Sequence, residues 1–275
     1  MTSDLDFFWF WLLANAADLR DVTVAAAALA VLPFLAWRAW TARKLVEAQQ
    51  RTAEATEIGK SAEIMAQAFA GLGDDKVQVR IGAVYSLERQ ARARPKDQGP
   101  IVQTLAAFVR DRCPPPAQPA TAETVYLPVQ TDVQAAIGVL GRRVRANDLA
   151  GTRLSFASSN LSGYDLSDGD FTGATFKGAY LCAANFAGTR LARADFQLAV
   201  GDQADFYGAK AREASFSSAY FANARFAHAD LTGAAFVDSD LSGTDLSHAQ
   251  VDGVDWRGAV IDNAALPAKA LPKPQ

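Results

Sequence analysis

The sequence predicts a repeat solenoid in the C-terminal half of the chain, preceded by an α-helical region that contains one transmembrane helix. Three observations lead to this fold class. A run of residues without charge lies near the N-terminus, and a helix-forming stretch follows it. After residue 150, large apolar residues recur at every fifth position.

Composition excludes two classes of protein. The chain has 275 residues, a net charge of −3 and two cysteines, so it is neither a strongly basic nucleic-acid binder nor a disulfide-stapled secreted scaffold. It also has 56 alanines, about a fifth of all residues. A conventional core of large aliphatic side chains therefore cannot account for all of the apolar content.

The uncharged run is a membrane signal. Residues 22–37 contain no charged side chain and would form about 24 Å of helix. Trp37 and Trp40 suit a membrane interface, so we predict a transmembrane helix over residues 22–40. Basic residues follow the run and acidic residues precede it, so the positive-inside rule predicts a single-pass membrane protein with its C-terminal bulk in the cytoplasm. The basic residues are Arg38, Arg43, Lys44 and Arg51, and the acidic ones are Asp4, Asp6, Asp18 and Asp21.

The residues ahead of this span contain a compact aromatic block at positions 7–13. The block is too short to cross a bilayer alone, so we interpret residues 1–21 as an interfacial segment. Whether residues 7–17 insert into the membrane stays open. The alternative for the whole region is a buried hairpin of a soluble domain, which would leave the charge asymmetry unexplained.

Residues 41–113 form a predicted cytoplasmic helical region. A long helix should end at Gly71 and Gly73, and Asp74 or Asp75 should cap a second helix. A third helix is expected from about Pro100 to Arg112. A Pro-rich linker follows at residues 114–130, and a lead-in helix capped by Thr131 is expected within residues 131–150.

The five-residue period covers residues 151–267. All ten phenylalanines after residue 150 have numbers ending in 1 or 6. Taking positions 161 to 266 as centres gives 22 consecutive pentapeptides, in which 17 centres are Leu or Phe. The residue two positions before each centre is small, with Tyr164 and Val254 as the two exceptions. Neither a helix nor a strand has this period.

This pattern, as in Ala229-Asp230-Leu231-Thr232-Gly233, resembles the pentapeptide-repeat family. The resemblance implies an all-β right-handed quadrilateral β-helix over residues 151–267, with four pentapeptides per coil, and leaves residues 268–275 as a tail. Residues 74–89 and the helix after Pro95 resemble the helical region of a bacterial membrane-associated subgroup of that family, which implies a location in the bacterial inner (cytoplasmic) membrane. The family is functionally diverse, so the resemblance predicts the fold better than the activity.

Inside such a coil, large centres and small partners fill a narrow shaft. One predicted ladder contains Phe176, Phe196, Phe216, Phe236 and Trp256. Gly201 and Ala211 fall in one coil on opposite faces and would leave the shaft underfilled. We expect either a local distortion that brings Val200 or Leu198 inward, which we favour, or a small cavity.

Outward positions are available for function because the inward ones are used in packing. Tyr180, Val200 and Tyr220 should form an exposed apolar stripe on one face, and they are the candidate interface residues. We favour docking of the chain's own N-terminal helices on this stripe over docking of a separate partner.

Two other outward features are a histidine pair and a cysteine. His228 and His248 should lie close together one coil apart, but spacing specifies no third ligand, so we predict no metal or cofactor site. Cys182 should face outward and, like Cys113, should be a free thiol.

The repeat region has a net charge of −6, with 13 Asp and one Glu against six Arg and two Lys. Some pentapeptide-repeat proteins present an acidic rod that mimics duplex DNA and occupies a topoisomerase, so the resemblance implies a modulator of a type II topoisomerase as an alternative. In this sequence, Arg225 interrupts the face that carries Asp165, Asp205 and Asp245. No acid, base and nucleophile converge, so we predict no catalytic residues.

The sequence favours a membrane-anchored, non-enzymatic protein–protein interaction scaffold with an unknown protein partner, possible homo-oligomers and no direct nucleic-acid binding. The alternatives are the topoisomerase modulator and a metal- or ligand-binding membrane sensor.

Overall fold

The computed structural model describes residues 16–116, 128–149 and 151–267, with side chains from residue 36 onward. The chain divides into two compact units, Met1–Ala62 and Glu63–Gln275. Helix α1 (Ala16–Leu72) is continuous and ends where the sequence predicts, just before Gly73. Between residues 36 and 60 its side chains are exposed, apart from a half-buried Thr41.

Among the described residues, no helix has both the length and the apolar character needed to cross a bilayer. The predicted transmembrane helix, and with it the single-pass localisation in the inner membrane, is therefore wrong. The uncharged run has 16 residues, whereas a spanning helix needs about 20. The residues that would lengthen it begin a stretch of exposed and charged side chains at Arg38. Residues 1–15 and the side chains of residues 16–35 lie outside the described residues, as do most of the Pro-rich linker and the C-terminal tail.

Three shorter helices form a bundle in the second unit. They are α2 (Val77–Ala93), α3 (Gln98–Arg112) and α4 (Thr131–Gly141), with 3₁₀ turns at Pro95–Asp97 and Arg145–Asn147. Both α2 and α3 pack against α4. The apolar faces at this junction are fully buried, with Leu87, Leu105, Val133, Ile137 and Leu140 at 0% exposure. Thr131 is the first residue of α4, and Gln130 rather than Thr131 occupies its N-cap position.

A buried ion pair joins α2 to α4. The Nε atom of Arg80 lies 2.5 Å from Oδ2 of Asp132, and the two side chains are 8% and 1% exposed. Arg112 of α3 adds a longer contact of 3.6 Å to the same carboxylate. The guanidinium of Arg80 also donates to the carbonyl oxygens of Asp74 and Asp75, each at 2.8 Å. One arginine thus fixes both the start of α2 and its position against α4.

The repeat region is a coil of 20 residues per turn with four faces. Parallel β-bridges link each outward residue to the residue 20 positions later, from Ser155↔Thr175 to Asp245↔Ala265. Each large centre donates its N–H to a carbonyl of the following coil, as Phe156 does to Thr175 at 2.8 Å. The bridges are isolated ones, because a turn separates each from the next. The four-sided β-helix implied by the family resemblance is confirmed, and its right-handedness stays a prediction.

Centres one coil apart stack face to face. Phe196 lies parallel to Phe176 and Phe216, with ring centroids 4.8 Å apart in each pair. A second ladder repeats this through Phe206, whose ring is 4.7 Å from that of Phe186 and that of Phe226. The two ladders meet edge to face at 5.6 Å between Phe196 and Phe206. This spacing is that of neighbouring β-strands, so the aromatic stack and the backbone ladder have the same repeat.

The shaft around Gly201 is filled in a way that neither expected alternative describes. Leu198 is 53% exposed, so it does not turn inward. Instead, the ring of Phe221 from the next coil occupies the space, because a Cβ atom on Gly201 would lie 2.2 Å from Cε1 of that ring. The Phe221 centroid is 5.5 Å from those of Phe206 and Phe216. The large side chain of Phe221 therefore fills the space that Gly201, one coil earlier, leaves empty.

The helical bundle covers the N-terminal edge of the coil on all four faces. An uncovered edge would expose unpaired backbone groups, and here each face finds a partner from the bundle. The contacts are Arg110 to the Ser155 carbonyl, the Asn160 N–H to the Cys113 carbonyl, the Gln134 side chain to both backbone groups of Asp165, and the Asp170 N–H to the Gly141 carbonyl.

Tyr164 breaks the small-residue rule because it belongs to this cover. It is 4% exposed, and its hydroxyl accepts the N–H of Gln130 at 3.1 Å and lies 3.6 Å from the Cys113 sulfur. Burial raises the pKa of the Tyr164 phenol, so the group stays protonated at physiological pH. The exception in the sequence therefore marks the junction of bundle and coil.

Candidate functional site

The outward face of each pentapeptide is the part of the repeat region that can meet a partner. The centres from Phe156 to Leu246 are buried, with exposures of 2% or less wherever the centre is Phe or Leu. The bridging residues between them are mostly half-buried or exposed. Functional residues of this region must therefore be sought among the bridging positions and the corner positions next to them.

The structure brings the three candidate interface residues together. Tyr180 bridges to Val200, and Val200 bridges to Tyr220, so the three occupy successive coils of one face. Tyr220 is 59% exposed, and the other two are half-buried. Helices α2, α3 and α4 leave Tyr220 exposed, and docking of the chain's own N-terminal helices on this stripe stays a prediction.

Leu198 belongs to the same surface and was missed as an outward residue. It lies at the corner immediately before Val200, has a φ of 60° and is 53% exposed. The corners are otherwise mainly Gly, Asn, Asp and other polar residues, since left-handed backbone favours them. A leucine at the corner position of the pentapeptide is the sequence signal that could have identified Leu198 as an outward residue. We call Tyr180, Leu198, Val200 and Tyr220 the apolar stripe.

Cys182 borders the stripe but does not contribute a surface thiol. The sequence placed it outward, whereas it is 5% exposed, with its sulfur 3.9 Å from the Val200 carbonyl oxygen. Burial raises the pKa of the Cys182 thiol and also that of Cys113. Both groups are therefore protonated at neutral pH and poor nucleophiles.

A second exposed cluster lies at a different corner of the coil. His228 and His248 stack with ring centroids 4.9 Å apart and an interplanar angle of 15°, which confirms the predicted proximity. Tyr207 meets His228 edge to face at 5.3 Å, and the guanidinium of Arg225 lies 4.2 Å from the centre of the Tyr207 ring. Within the described residues, no group of three or more His, Cys, Asp or Glu side chains is arranged to hold a metal ion.

The acidic residues at the bridging positions stabilise the corners of the coil. At bridging positions, an Asp or Asn carboxyl or amide oxygen accepts the N–H of the residue two positions later and so closes the corner. Asp165, Asp205 and Asp245 each do this, at 3.0, 2.8 and 2.9 Å. The hydrogen bonds from Ser247 lower the pKa of Asp245.

Basic side chains further divide the anionic surface. Arg225 pairs with Asp205 at 3.6 Å, and Arg190 pairs with Asp170 at 3.0 Å. The face that carries Asp165, Asp205 and Asp245 is therefore not a continuous row of free carboxylates. The corner geometry is a sufficient reason for aspartate at these positions.

The comparisons with known proteins concern this region. The sequence model of the family described as pentapeptide repeats matches residues 148–266 in eight copies. No curated protein matches the chain. The membrane-associated subgroup expected from the sequence is not supported, because its defining helix is not found among the described residues.

Several solved structures are similar to the chain. A pentapeptide repeat protein from the thylakoid lumen of Arabidopsis thaliana is 25% identical, covering 38% of this chain and 69% of its own, with a TM-score of 0.29. HetL, a pentapeptide repeat protein involved in heterocyst differentiation regulation in Nostoc sp. strain PCC 7120, is 16% identical, covering 43% and 87%, with a TM-score of 0.18. QnrB1, a plasmid-mediated fluoroquinolone resistance protein, is 24% identical, covering 38% and 77%, with a TM-score of 0.18.

The family match covers the residues in which the 20-residue coil, the stacked centres and the capped corners have been described. Residues 148–266, which are 119 of the 275 residues, are therefore a region of pentapeptide repeats.

Proposed function

We propose that the protein is a non-enzymatic interaction scaffold whose β-helix binds a protein partner through the apolar stripe. The observation that carries this proposal is the exposure of Tyr220 at 59% and Leu198 at 53% on adjoining coils. Isolated exposed apolar residues need no explanation, but four that adjoin across three coils form a patch of the kind that marks interaction sites. Tyrosine is also enriched among the residues that dominate binding energy at interfaces.

The polar residues around the apolar stripe favour specific binding over non-specific hydrophobic association. Asp202 lies on one side of it, where it accepts a hydrogen bond from Asn223 at 3.0 Å, and Asp240 follows Tyr220 on the same face. Interfaces of this kind have an apolar centre and a polar rim. The bridging hydrogen bonds on both sides keep the backbone rigid, so binding requires little reordering of the chain.

Site-specific photocrosslinking tests the stripe. With a photoreactive phenylalanine analogue at position 220, we expect a discrete crosslinked adduct in cells. The adduct should be lost when Leu198→Ser is added, because that change removes adjoining apolar surface without altering the shaft. Tyr207, an exposed tyrosine at 39% on another face, is the matched control position and should give no such adduct. The same adduct at both positions, or an adduct at 220 that Leu198→Ser leaves unchanged, would contradict the proposal.

A further inference from the structure

We propose that His228 and His248 together bind one divalent d-block metal ion, such as zinc, with water in the remaining coordination positions. The site is separate from the apolar stripe and does not depend on it. The stripe lies on the face of the Val200–Tyr220 bridge, whereas the two histidines follow the Arg225–Asp245 bridge.

The coil places the two imidazoles as a pair. Both residues are exposed, and both occupy corner positions with left-handed backbone, at φ 61° and 58°. Because the preceding residues Arg225 and Asp245 are bridge partners, the two histidines project side by side from successive coils. They are also the only histidines in the 275-residue sequence.

The spacing of the rings is close to that of two ligands on one ion. A zinc–nitrogen bond is about 2.0–2.1 Å, so two nitrogens on the same ion can be up to about 4.2 Å apart. The ring centroids are 4.9 Å apart and nearly parallel. An imidazole nitrogen binds a metal in the plane of its ring, so the two stacked rings would have to rotate about their side-chain bonds to bind one ion. Both side chains are exposed, and this rotation would turn one nitrogen of each toward a shared ion. Neutral imidazole suits zinc, copper and nickel.

The local charge favours a cation. Asp245 precedes His248 by three residues, and its carboxylate accepts the N–H of Ser247 at 2.9 Å. The guanidinium of Arg225 is paired with Asp205 at 3.6 Å and lies over the Tyr207 ring at 4.2 Å. The described residues offer no group of three ligands, so the proposal is limited to two protein nitrogens, which leaves positions open to water.

Calorimetric titration of the tag-free full chain with zinc chloride at neutral pH tests this site. We expect one ion per chain. His228→Asn and His248→Asn should each weaken binding at least tenfold, equivalent to about 1.4 kcal/mol, because each leaves a single imidazole. Asparagine is chosen because it tolerates left-handed backbone. Gln203→Asn, an exposed corner residue with φ 59°, is the matched control and should bind as the wild type does.

A second measurement keeps the result independent of variant stability. In the wild-type protein, zinc should shift the imidazole proton resonances of both histidines together, at one stoichiometric equivalent. Cys113 and Cys182 are buried at 3% and 5% exposure and should not compete. No saturable binding by the wild type, unchanged affinity in either histidine variant, or a shift confined to one imidazole would overturn the proposal.

Discussion

Replacing Phe221 with alanine should lower the free energy of unfolding by about 3–5 kcal/mol, the usual cost of truncating a buried phenylalanine. The residue is 0% exposed, and its ring contacts four other phenylalanine rings of the shaft at centroid distances of 5.5 to 6.2 Å. It also occupies the space left empty by Gly201. Its removal should therefore loosen two successive coils, which denaturant unfolding followed by circular dichroism would measure.

Gly201→Ala should lower the free energy of unfolding by about 1–3 kcal/mol, because the new methyl group would overlap the Phe221 ring. The two changes share one space, so their combined cost should fall clearly below the sum of the separate costs. Gly82→Ala in α2 is the matched control, since nothing lies within 4 Å of its added methyl group. It should not destabilise the protein. Additive costs at Gly201 and Phe221 would show that the ring does not fill the glycine's space.

The second large effect is expected at the ion pair within the bundle. Asp132→Ala should lower the free energy of unfolding by about 3–5 kcal/mol, because Arg80 would remain 8% exposed without its carboxylate. The same variant loses the contact to Arg112, so α2, α3 and α4 all lose a shared anchor. Thermal unfolding followed by circular dichroism would report the loss.

The exposed pair of Arg193 and Glu213 provides the control for this prediction. Their side chains are 76% and 61% exposed, and solvent screens their interaction. Arg193→Ala should leave the unfolding transition unchanged within error. If Asp132→Ala behaved like this control, the ion pair would not anchor the bundle.

The repeat region could be predicted from sequence because one local rule repeats without insertion. Each pentapeptide has small, outward and inward residues in the same order. The positions of the phenylalanines in the five-residue period are therefore enough to predict which side chains fill the shaft. The rule fails where a position depends on a different coil. The space at Gly201 is filled by Phe221, which is 20 residues away, and no property of the Gly201 pentapeptide indicates this.

The contacts at the N-terminal edge of the coil could not be predicted from the sequence for the same reason. Gln134 pairs with the backbone of Asp165, and Tyr164 reaches Gln130, through separations that follow no period. The prediction of a transmembrane helix failed because the uncharged run of residues 22–37 is short, and the residues added to lengthen it belong to the polar part of helix α1. For the candidate site, period alone placed Tyr180, Val200 and Tyr220 on one face, whereas the exposure of Leu198 and the burial of Cys182 depend on how the corners turn.

The stripe, the histidine pair and the aromatic ladders all require that residues 20 positions apart are neighbours on one face. Paired cysteines test this most directly, because neighbouring parallel strands hold Cα atoms within disulfide range. The variant Arg190→Cys/Lys210→Cys changes two exposed bridge partners, and Arg190→Cys/Ser215→Cys places the second thiol on the next face. Mild oxidation followed by peptide mass spectrometry should find a disulfide in the first variant and none in the second. A disulfide in the second variant and not in the first would contradict the 20-residue coil.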